Sequence, residues 1–173
     1  MSEIQVIKRD GNKDTLDLEK LHKVTFSACE NLNGVSASEV EIKSSLQFYS
    51  GITSSEIQET LIKSAADLIS EEQPNYQWVA GRLIVYHLRK MVYGNYEPWH
   101  ILELIKTNVE EGFYDSSLLE KYTDEEWDEL NSHLKHDRDE NMTYAAMEQW
   151  RGKYLVQNRV TNIIKETPQM AYM

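Results

Sequence analysis

Apolar and polar positions alternate at the start of the chain and then change period. In EIQVIK the alternation and the β-branched residues predict a strand at Glu3–Lys8. Asp10-Gly11 is a hairpin-turn signal, because glycine tolerates positive φ, and Lys13–Leu16 is the expected return strand. From Leu21 the spacing turns helical: Leu21, Val24, Thr25, Ala28 and Leu32 share a face, with Asp17 as N-cap and Asn33-Gly34 as stop. Ser36-Ala-Ser-Glu39 and Thr53-Ser-Ser-Glu56 are both capping-box patterns, separated by Gly51. The second opens a helix whose apolar face is Ile57, Leu61, Ala65, Leu68 and Ile69. With Pro74 in its first turn, a fourth helix runs from Tyr76 through Val79, Leu83, His87 and Met91 at the 3.6 period, and Gly94 stops it.

Asn95–His100 reads as a connector. Shorter helices are expected at about Trp99–Glu111, Asp115–Lys121, from the Thr123-Asp-Glu-Glu126 box to about His136, and Thr143–Gly152. There is no internal repeat. The expected fold class is mostly α: a small hairpin capped by helices over residues 1–95, then a helical segment over 96–173.

Composition is that of a globular protein, with 40% hydrophobic and 27% charged residues in a chain of 173. No apolar run approaches the ~18–20 residues that span a bilayer, and no signal-peptide pattern opens the chain, so a cytoplasmic location is expected. The net charge of −11 disfavours nucleic acid and anionic membranes as partners. That charge is uneven: residues 1–95 hold 10 Lys+Arg against 13 Asp+Glu, and residues 96–173 hold 8 against 16. The nearly balanced first half leaves room for a local cationic site.

Lys8 and Arg9 leave the first strand, Lys20 lies in the first turn of the first helix, and Lys90 is near the end of the fourth. A polyphosphate needs several such donors converging on it. From charge alone a solvated basic surface is the favoured explanation. Asp14, Asp17 and Glu19 could bind ribose hydroxyls or a base, yet Asp17 is also a helix cap and Glu19 a favourable charge at a helix start. His133 and His136 have one-turn spacing, which by itself names no third metal ligand. The lone Cys29 is expected in the core, with neither a disulfide partner nor a neighbouring base. No Walker loop or Rossmann glycine pattern occurs, so any phosphate site would be built from side chains.

VIKRDG…LDLEKLHKV, SSEIQETLIKSAADLIS and YQWVAGRLIVYHLRKMVYGNYEP resemble an ATP-cone, the nucleotide-sensing module of many ribonucleotide reductases. FYDSSLLEKYTDEEWDEL, HDRDENMTYAAMEQWRGKYLVQNRV and KETPQMAYM resemble the helical segment that follows the cone in large subunits of the aerobic class I enzymes, enterobacterial and phage type. The resemblance implies an allosteric site for ATP or dATP with Mg²⁺. Lys8, Arg9, Lys20 and Lys90 would face the phosphates, and the segment Asp14, Thr15, Leu16, Asp17, Leu18, Glu19 and Lys20 would read base and sugar with Leu21 packed nearby. Ser54, Gln58 and Tyr86 would complete the site, with Asp14, Asp17, Ser54 and Gln58 standing where the enterobacterial pattern has Glu, Asn, Thr and His. The implied partners are the remainder of the large subunit, whose barrel is absent from these 173 residues and carries the reductase chemistry beyond them or in a separate chain, and a small radical-generating subunit.

On that reading the chain is the regulatory part of a ribonucleoside-diphosphate reductase, inactive alone because its one cysteine matches none of the barrel's catalytic ones. The alternative is a degenerate cone that binds no nucleotide and serves as a docking element. A cone-containing transcriptional repressor would need a four-cysteine zinc ribbon, which one cysteine cannot supply.

Overall fold

The computed structural model describes residues 4–173, so Glu3, the first residue of the expected opening strand, lies outside the described residues. Strands β1 (Gln5–Ile7) and β2 (Lys13–Thr15) form the expected hairpin, with Val6 opposite Asp14. Gly11 at φ +82° makes the reversal, and Asp10 accepts from the backbone N–H of Asn12. A third strand, β3 (Ile52–Thr53), lies parallel to β1, pairing Ile52 with Val6, so β1 is the central strand. The sequence pattern did not announce β3: two residues carry no periodicity, and their pairing is purely tertiary.

Helix α1 (Leu18–Cys29) begins where Asp17 accepts from the Lys20 N–H at 2.9 Å. It ends before Leu32, because Asn31 turns to φ +60°. Helix α2 (Ala37–Ser45) follows Ser36, but the expected capping box is not made there. The Tyr76 hydroxyl donates to the Glu39 carboxylate and itself accepts from the Ser36 N–H, so both partners of one half of the box are diverted, and the Ser36 side chain makes no cap bond for the other. The Thr53–Glu56 box does close, opening α3 (Ser54–Ala66). Helix α4 (Tyr76–Tyr93) starts after Pro74 rather than around it, and ends at Gly94 in the left-handed region.

Of the remaining elements, the helices expected up to about His136 are shorter than the pattern implies, and the 3-10 helix, the π-helical turn and the last helix are not announced by it. They are α5 (Ile101–Glu110), α6 (Leu118–Lys121), α7 (Asp124–His133, with its box closed) and a 3-10 helix at His136–Asn141. Then come α8 (Tyr144–Gln149), a π-helical turn at Trp150–Tyr154, and α9 (Pro168–Tyr172). Helix α7 stops at Leu134, which turns extended to bury its side chain, so His133 and His136 do not share a helical face.

Two apolar clusters hold these pieces. One surrounds α4 and joins Val6, Leu21, Ile57, Leu61 and Leu83 to Met147, Leu155 and Ile164 from the end of the chain. The other gathers Tyr93, Ile101, Leu104, Trp127, Leu134 and Met170. Burying a residue of this size contributes about 1.5–3 kcal/mol, so Met147, fully buried on α4, makes α8 part of the first cluster rather than an appendage. Among the described residues no helix is long and apolar enough to cross a membrane.

Candidate functional site

The hairpin, the start of α1, the first turns of α3 and the end of α4 enclose a cavity of about 290 Å³. The hairpin supplies Lys8, Arg9, Asp14 and Thr15, and the following turn and helix supply Leu16, Asp17, Lys20 and Leu21. Ser54 and Gln58 enter from α3, and Tyr86 and Lys90 from α4. Leu18 and Glu19, named with this group from the sequence, do not line it, and Leu18 points to solvent with 66% of its surface exposed. Val6, Val24, Ile57 and Gly94 line it without having been named. The apolar three follow from the strand and helix periods, since each faces inward from its element beside a polar lining residue.

Local structure fixes the cations differently. Lys8 pairs across the hairpin with Asp14, whose other oxygen accepts from the Thr15 N–H; both side chains are half exposed. The hydrogen bond and the charge of Lys8 hold the Asp14 carboxyl below its ordinary range. Arg9 donates through Nη1 to the carbonyl of Lys90, tying the hairpin turn to the end of α4. Although Arg9 is exposed as a residue, desolvation of its guanidinium against that helix end lowers its pKa. The Lys90 ammonium lies 5.8 Å from the centre of the Tyr86 ring, within cation–π range. Burial, then the charges of Lys20 and Arg9, push its pKa down.

Burial first, and like charge second, thus makes the Lys90 cation costly at this wall of the cavity. Helix α1 offers its N-terminus to the same space, although the Lys20 N–H is already taken by Asp17. Asp17 therefore does the capping work, and Asp14 is the carboxylate held at the rim by a cation. Burial raises the pKa of the Tyr86 hydroxyl, so it stays neutral, and its ring leans on Tyr96 with centroids 5.5 Å apart. Gln58 Oε1 is buried with no partner in the protein. Cations on one side, an aromatic face and an unpaired amide on the other suit a ligand that is polyanionic at one end and flat and polar at the other.

Cys29 packs partly buried against the first cluster, and burial pushes its thiol up to about 11, far from a reactive thiolate. Among the described residues no three His, Cys, Asp or Glu side chains gather as a metal would need.

Comparison with known proteins gives this geometry a setting. The family model of the ATP cone domain matches residues 4–91, which contain every cavity-lining residue except Gly94. Ribonucleoside-diphosphate reductase 1 subunit alpha of Escherichia coli strain K12 is 49% identical over 97% of this chain and 22% of its own length. The subunit alpha of Haemophilus influenzae is 48% identical over 98% of the chain and 22% of its own. That of Enterobacteria phage T4 is 42% identical over 100% of the chain and 23% of its own. The chain thus spans about a fifth of the length of the relatives it matches, and what it matches is their N-terminal region. With half of its residues on that family model and the hairpin and helices in the expected order, the chain belongs to the ATP-cone family.

Proposed function

We propose that the cavity binds ATP or dATP, and that residues 1–95 form the allosteric, nucleotide-sensing unit of a ribonucleoside-diphosphate reductase large subunit. One observation carries this reading: Arg9, Lys20 and Lys90 line one cavity beside the Tyr86 ring, where burial and then the charges of Lys20 and Arg9 make the Lys90 cation costlier, a cost an anion would offset. Arg9, Lys20 and Lys90 take the phosphates, with Lys8 joining once Asp14 releases it. The ring of Tyr86, with Leu16 and Leu21, packs the base, while Thr15, Asp17, Ser54 and Gln58 offer polar contacts to base and sugar. Magnesium fits as a companion of the phosphates: Asp14 and Asp17 are already engaged, so phosphate oxygens and water would hold it.

Residues 96–173 form a helical segment that buttresses α4, and the reductase chemistry belongs to the remainder of the large subunit with its small radical-generating partner. Effector control of that assembly requires the nucleotide to bind one state better than another.

The degenerate docking cone has one observation in its favour: Lys8 and Arg9 are already paired within the protein. Calorimetric titration of the folded chain with Mg·ATP and Mg·dATP separates the readings. Saturable binding, weakened by Lys90→Ala, supports the sensor. No heat at millimolar nucleotide leaves the docking element.

A further inference from the structure

Arg151, in the π-helical turn after α8, lies outside both the cavity and the span matched by the cone family. Its side chain is 19% exposed, and its guanidinium makes two forked contacts. One fork holds Glu148, at 2.6 Å and 3.1 Å. The other reaches 92 residues back to Glu59 on α3, at 2.7 Å and 3.2 Å. Glu59 follows Gln58 directly, so one α3 residue lines the cavity while the next is gripped by the helical segment. Beneath them His87 Nε2 sits 3.4 Å from Glu59 Oε1, with its side chain 2% exposed.

We propose that Arg151 is a positioning residue for the effector site, and that its grip on Glu59 couples occupancy of the cavity to the helical segment. The proposal rests on the nucleotide reading above. Two effects act in one direction. The grip fixes the α3 turn that carries Gln58, a lining residue of the cavity whose Oε1 has no partner in the protein. It also neutralises Glu59, which would otherwise stand as an uncompensated negative charge one residue from Gln58, in the wall of a cavity that takes a polyanion. Loss of Arg151 therefore weakens nucleotide binding. Because coupling is reciprocal, bound nucleotide strengthens the Arg151–Glu59 grip.

The groups facing His87 fit this picture: Glu59 from α3, Arg9 from the hairpin and Arg151 from the π-helical turn. Burial, with the two arginines, holds the imidazole down at about 4, so Glu59 meets a neutral ring and keeps its charge for Arg151.

The test uses the intact chain. Calorimetry with Mg·ATP and Mg·dATP is paired with amide hydrogen exchange over residues 144–156, for wild type and Arg151→Met, an apolar side chain of similar reach. In the wild type, nucleotide slows exchange in 144–156. Arg151→Met binds about 5-fold more weakly or worse, and its exchange there no longer responds. Arg151→Lys, which keeps the charge but not the fork, falls between. Should Arg151→Met not fold, Glu59→Gln is read in its place; it keeps an acceptor without the charge, and its exchange response is reduced. Equal affinities with an intact response in the variant overturn the proposal. So does a wild type that binds nucleotide without any response at 144–156, which leaves the sensor reading standing. Absence of binding altogether removes both.

Discussion

Gly81 on α4 lies so close to Met142 that a β-carbon at position 81 would stand 2.2 Å from the Met142 carbonyl oxygen and 3.1 Å from the Thr143 carbonyl carbon. Both neighbours are backbone and cannot swing aside. The glycine is needed here for proximity, since its helical φ is one any residue adopts. Gly81→Ala should push α8 and its lead-in away from α4 and lift Met147 out of the first cluster, costing about 1–3 kcal/mol. Thermal denaturation measures the loss. An unchanged midpoint would mean that the segment 142–143 yields without strain.

Lys90→Ala should weaken ATP by roughly 10–100-fold, the loss of about 1.5–3 kcal/mol for a charged hydrogen bond. Lys8→Ala should cost less, because Lys8 gives up Asp14 to reach a phosphate. Calorimetry on the two variants gives the ranking. A larger effect at Lys8 would place the phosphates nearer the hairpin than the end of α4.

Asp139 is fully buried, and neither carboxylate oxygen has a hydrogen-bond partner within the protein. The backbone and side chain of Gln169 favour its charged form without reaching good hydrogen-bond geometry, and Arg89 attracts it, yet burial outweighs them and pushes the carboxyl up to about 6. A group with its folded pKa raised binds protons more readily when folded, so this carboxylate costs stability increasingly as pH rises through 6. Asp139→Asn should melt higher than wild type at pH 8, the gap shrinking by about 1.4 kcal/mol per unit between pH 6 and 4. His87, depressed to about 4, loses stability in that window as pH falls, but equally in both proteins. A variant that melts lower at pH 8 would show that attraction to Arg89 outweighs burial.

Thr53 ends β3 and caps α3, donating its hydroxyl to Glu56 and accepting from the Glu56 N–H at 3.1 Å. Thr53→Ala should destabilise by about 1 kcal/mol and fray the turn that presents Ser54 and Gln58. Faster amide exchange at 54–58 with a midpoint lowered by a few degrees is the expected pair of results. Loss of stability without local exchange would mean that the β3 pairing, not the cap, holds this turn.

Local chemistry made much of the fold legible. Asp10-Gly11, the Thr53 and Thr123 boxes, the period of α4 and its Gly94 stop act within a few residues, and each reads from the chain alone. What competes across the fold does not. Ser36 and Glu39 form a proper box on paper, and only the arrival of the Tyr76 hydroxyl undoes it. Ile52–Thr53 becomes a strand because β1 lies alongside. In the cavity, Lys8, Arg9, Lys20 and Lys90 were ambiguous by charge, and family resemblance, not periodicity, singled out Ser54, Gln58 and Tyr86. Arg151 was invisible, because nothing near it in the sequence points to Glu59.

The walls of the cavity come from residues 6–24, 54–58 and 86–94. The hairpin, α1 and α3 all precede α4 in the chain. Their meeting place is completed only when the end of α4 arrives to offer Lys90 and to receive the donor of Arg9. Closing that distance is entropically expensive, because the contacts lie far apart in the chain. The cavity therefore has no complete wall until α4 is whole, and a chain cut short of the end of α4 would lack both Lys90 and the carbonyl that receives Arg9.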